Sequence, residues 1–213
     1  MALRPEGTVP DSGSHDYQIL LTVIAGISLA AAVTVLPVLI AGPYGTWHYW
    51  ATVLLWLAGV AATILEYLAV LFGSRYYLRR VDLVGTVSLV LVFLALAALF
   101  VVIGMGERWL TPQWFVLFAI FCVVSAAEAE HGRRVIVRHA VRRYGAAAVR
   151  AFAVSLRQVT VLMLALAAAS VLFAAVWRDP PGAAVFVASA LVLAGVVAAN
   201  VHQHRIRVEL ATR

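Results

Sequence analysis

Of the 213 residues, 64% are hydrophobic and 12% charged, with a mean hydropathy of +0.97, against about 45–50% apolar and about 25% charged in soluble globular domains. So few polar groups cannot cover a 22.9 kDa globule, which excludes soluble enzymes, disordered chains, coiled coils and disulfide-stapled secreted domains. The formal net charge is +6 and all sixteen basic residues are Arg. Without a Lys the chain cannot be a Schiff-base retinal protein, a pyridoxal enzyme or a P-loop ATPase, and the single Cys122 has no partner for an intrachain disulfide or a CxxC site.

A hydrocarbon core of about 30 Å is crossed by about 20 apolar residues in a helix, and the sequence predicts six spans. The first, Ile19 to Ala41, follows an acidic flank (Asp11, Asp16) and is too long for a cleavable signal peptide, so it reads as a retained anchor behind a short tail, 1–17. Pro37 predicts a kink toward its far end. The second, Tyr49 to Gly73, carries Glu66, the one charge well inside a span; the third, Leu83 to Met105, is uncharged. The fourth, Gln113 to Ala127, is short, because Pro112 favours a helix start beside it. A basic segment, 128–157, follows, with Arg134, Arg138 and Arg142 at i, i+4 spacing, which predicts a helix extending one or both flanking spans. The fifth span, Gln158 to Trp177, is alanine-rich; the sixth, Ala183 to Val201, precedes a tail at 205–213. Gly26 with Ala30, Gly59 with Thr63, and Gly195 with Ala199 are small-residue pairs that predict close helix approach.

Threading six spans through a bilayer puts fourteen of the sixteen arginines on one side, leaving Arg108 and Arg178 on the other. By the positive-inside rule the Arg-rich side is cytoplasmic. Trp47, Trp50, Trp109, Trp114 and Trp177 fall at the opposite boundary, where an indole meets both water and lipid, and only Trp56 lies within a span. The expected fold is therefore an all-α, polytopic six-helix membrane bundle with both termini cytoplasmic, residing in the cell's inner (plasma) membrane.

Charges in a span cost about 2.5–3.5 kcal/mol at mid-bilayer and need a partner or water. Glu66 is expected either to face a cavity as a proton- or cation-handling carboxylate or to pair with Arg157 at the inner start of span five. A second group lies at inner span ends: Glu128 and His131 have the i, i+3 spacing by which bundle helices present two metal ligands, and His202 could add a third. No cofactor is expected; a divalent metal at that group is the one open possibility. Arg134, Arg138 and Arg142 would contact anionic headgroups or a partner; nucleic acid is not expected, since lipid already occupies such a face.

The His residues are terminal or outside the spans, which disfavours haem ligation. No GxSG serine suits intramembrane proteolysis. The four aspartates are dispersed, unlike the clusters needed for magnesium diphosphate chemistry. The reading that follows is a small transporter or channel subunit, homo-oligomeric or part of a larger complex. An accessory or assembly subunit is the alternative, and a membrane-embedded enzyme at the cytoplasmic leaflet comes last.

Overall fold

A computed structural model describes residues 12–42, 44–75, 83–139, 145–177 and 179–211, with side chains at some helix ends excepted. The described residues form seven helices: α1 Ser12–Thr34, α2 Leu36–Ile40, α3 Trp47–Arg75, α4 Leu83–Gly104, α5 Glu107–His139, α6 Ala146–Val176 and α7 Gly182–Ala211. There is no strand among them. Six helical stretches are long and apolar enough to cross a membrane, α1 and α2 together making the first. The backbone polar groups of such a stretch are satisfied within the helix, which is why an apolar chain in lipid takes this form.

Neighbour packing closes the six spans into a ring in the order α1, α4, α5, α6, α7, α3, with α3 also touching α4. The core is one continuous apolar cluster drawing on every span, with Trp114, Phe93, Phe100, Phe115 and Phe118 as its largest fully buried side chains. Because lipid tails are as apolar as Leu, close contact and internal hydrogen bonds hold such helices together more than expulsion from water does. Two of the three small-residue pairs act this way. A Cβ on Gly59 would lie 2.9 Å from the Phe100 ring, and one on Gly195 would lie 3.1 Å from Leu166. Gly26 and Ala30 instead face away from the bundle, with nothing within 4 Å of a Cβ on Gly26.

The first span breaks where Pro37 predicts a kink. The helix ends at Thr34 and resumes at Leu36, and the indole N–H of Trp56 on α3 donates to the Ala32 carbonyl at 3.0 Å. That bond gives a reason for a Trp in mid-span: it serves a carbonyl at the interrupted turn. Span four departs from expectation. It starts at Glu107, with Pro112 inside it, and runs 33 residues to His139. A proline near a helix start removes one backbone hydrogen bond while the turns on either side hold. Met105 and Gly106, the latter at φ +91°, make the tight turn from α4 into α5. Trp114 lies two residues into its span, near the expected boundary, but its ring faces inward rather than toward lipid, fully buried and stacked on Phe118 at 5.1 Å.

Candidate functional site

The basic segment is largely helix among its described residues, as the arginine spacing predicts. α5 runs to His139 and α6 starts at Ala146, after Gly145 at φ +79°. At 1.5 Å per residue, helices of 33 and 31 residues reach about 50 Å and 46 Å, well beyond a hydrocarbon core of about 30 Å. They pack as an antiparallel hairpin, the most extensive helix pair in the molecule. Phe115 meets Phe173 (ring centroids 4.6 Å apart) at one end, and Ile136 packs with Val149, Phe152 and Leu156 at the other. On α6 the buried seam recurs every three or four residues through Val149, Phe152, Leu156, Val159, Met163, Ala167 and Ser170, the spacing of coiled-coil packing.

Three of the seven buried Ser, Thr and Glu side chains among the described residues lie toward the Arg-rich end of this hairpin. Ser125 and Glu128, one helical turn apart on α5, are 7% and 6% exposed, and Ser155 on α6 is 2% exposed. Glu128 is the only buried charged side chain among the described residues; it has an interaction partner, as does the half-buried His131. Just beyond, Glu130 accepts from Arg133 Nε and Nη2, both at 2.7 Å, and from Arg134 Nε at 2.9 Å. Two guanidinium groups are thus held on one carboxylate.

The residues expected to form sites are distributed differently. Glu66 is half-buried on the same face of α3 as the buried Ala62 and Val70, so it looks into protein, and it has an interaction partner. Arg157 is exposed on α6, and no hydrogen bond or ion pair to it from Glu66 is seen among the described residues. The physical reason is topological: α3 packs against α7, α1 and α4, while α6 lies across the ring. α3 packs instead on α7, where Gly182 closely approaches Trp47 and His48. Glu128 and His131 share α5, but His202 is on α7, which is not a packed neighbour of α5; its side chain lies outside the described set. No group of three metal-ligating side chains occurs among the described residues. Of the proposed contact arginines, Arg134 is engaged by Glu130, Arg138 is exposed, and Arg142 falls outside the described residues.

Within the spans, Gln113 Oε1 and the Trp114 indole nitrogen are also buried, as are further Ser and Thr hydroxyls. Ser28 donates to the Phe93 carbonyl (2.7 Å), Thr63 to Gly59 (2.9 Å) and Ser189 to Val185 (2.7 Å); Ser170 is also buried. Such bonds return the hydroxyl to the backbone and leave little to line a hydrated path.

Fold and polar groups together define an all-helical, six-span integral membrane protein with a long helical hairpin at its Arg-rich end. Compared with family models, curated proteins and solved structures, the chain matches none.

Proposed function

We propose that the protein is a non-conducting membrane subunit, an accessory or assembly component of a larger complex or homo-oligomer, acting in the plasma membrane with its Arg-rich hairpin in the cytoplasm. One observation carries this reading: between the Trp-rich and Arg-rich ends, the described core is filled by aromatic and aliphatic side chains, and the Ser28, Thr63 and Ser189 hydroxyls within it bond to backbone. An ion crossing within one copy would have to shed water against hydrocarbon over most of the bundle, where the carboxylates within the described spans are Glu66 and, toward the Arg-rich end, Glu128 and Glu130. The test is flux through purified protein in proteoliposomes. Proton and monovalent-cation leak equal to that of protein-free vesicles is expected.

A transporter or channel subunit is the second reading, favoured by the buried Glu128, the half-buried Glu66 and the broken first span. Flux that disappears in Glu66→Gln or Glu128→Gln, with the fold intact, would establish it and overturn the first.

A further inference from the structure

We propose that the outward face of α6 is a binding site for an anionic phospholipid, its phosphate held at Arg150 and Arg157 and an acyl chain lying along Val161, Leu164 and Leu172. The α6 seam with α5 uses one side of the helix, and these residues fall on the other. Arg150, Val154, Arg157, Val161, Leu164, Ala168 and Leu172 recur every three or four residues and are all exposed, so they form one stripe along the helix. The stripe is cationic at its Arg-rich end and wholly apolar from Val161 onward, with Val161 60% and Leu172 64% exposed. Arg157 and Arg150 are two turns apart, about 10 Å.

Neither guanidinium group is paired with a carboxylate among the described residues. α6 contains no acidic residue. Among the described residues, Arg150 bonds only the Ala146 carbonyl, through Nε at 3.3 Å, and Arg157 makes no hydrogen bond or ion pair. Arg133 and Arg134 contrast with them, since both are drawn onto Glu130. The continuity of basic and apolar surface selects a lipid over a free phosphate: a soluble anion gains from the arginines alone, whereas a phospholipid covers the aliphatic stripe as well. This site does not depend on whether the protein conducts.

The experiment titrates the purified full-length protein in neutral detergent with phosphatidylglycerol or phosphatidylcholine and counts retained lipid by native mass spectrometry. Phosphatidylglycerol should be retained preferentially. At about 1 kcal/mol per Arg near the surface, Arg150→Gln with Arg157→Gln should weaken its binding roughly thirtyfold. Arg134→Gln should change it little, and Arg150→Lys with Arg157→Lys should preserve most of it. Should the Gln pair fail to fold, the unmutated protein still decides, because its preference for phosphatidylglycerol must fall as salt is raised. Equal retention of the two lipids, equal damage from Arg134→Gln, a salt-independent preference, or competition by inorganic phosphate at matched concentration would each overturn the assignment.

Discussion

Gly59 and Gly26 have the same local sequence setting, a glycine in an apolar helix four residues from another small residue, yet their surroundings are opposite. A Cβ at Gly59 would press the fully buried Phe100 ring at 2.9 Å, whereas Gly26 opens onto free space. Gly59→Ala should therefore lower stability by about 1–3 kcal/mol through overpacking, and Gly26→Ala should be neutral or stabilising by up to about 1 kcal/mol, since Ala is the better helix former. Thermal unfolding of the two variants in one detergent checks the contrast. Removing the indole donor by Trp56→Phe, which leaves the Ala32 carbonyl with the Val35 N–H at 3.3 Å, should cost about 0.5–1.5 kcal/mol. Glu66 and Arg157 supply a prediction of additivity: their helices are not neighbours, so Glu66→Gln and Arg157→Gln should combine without coupling. Strong non-additivity in the double variant would contradict the packing order of the ring.

Among the elements, the α5–α6 hairpin stands apart because it has a second small core. Ile136, Val149, Phe152 and Leu156 form a buried cluster separate from the main one. Such a satellite can loosen while the spans stay packed. Phe152→Ala should destabilise this tip by about 3 kcal/mol. The change should appear in hydrogen exchange as faster amides around 136–156, with spans one to three unaffected. Uniform acceleration across the whole chain would mean that the hairpin and the bundle unfold as one unit.

Across the whole molecule, the fourteen-to-two division of arginines sets the expected orientation, and exposed positions at both ends allow a direct test. Trp47 is 59% exposed at one end and Arg138 is exposed at the other. With the buried Cys122 replaced by Ala, a membrane-impermeant maleimide applied to intact cells should label Trp47→Cys and leave Arg138→Cys unlabelled until the membrane is opened. The reverse pattern would invert the topology.

The number of spans, the all-helical class and the Pro37 break were legible in the sequence because each depends on short-range chemistry: the run of apolar residues needed to cross hydrocarbon, and a missing backbone donor. The continuation of the spans into the basic segment was legible too, from arginines at helical spacing. Which polar residues meet was not. Glu66 and Arg157 match in depth, and so do Glu128, His131 and His202, but depth is one coordinate, and the order of helices around the ring supplies the other. That order comes from close approaches such as Gly59 with Phe100 and Gly182 with Trp47, and from the long seam of α5 on α6. It gave α3 and α6, and likewise α5 and α7, no extensive shared seam, turned the Trp114 side chain into the core, and left Arg150 and Arg157 facing outward above an apolar stripe. In lipid the hydrophobic pattern identifies a span but says little about which of its faces is buried, since interior and surroundings are equally apolar. Only the packing of side chains between helices decided that.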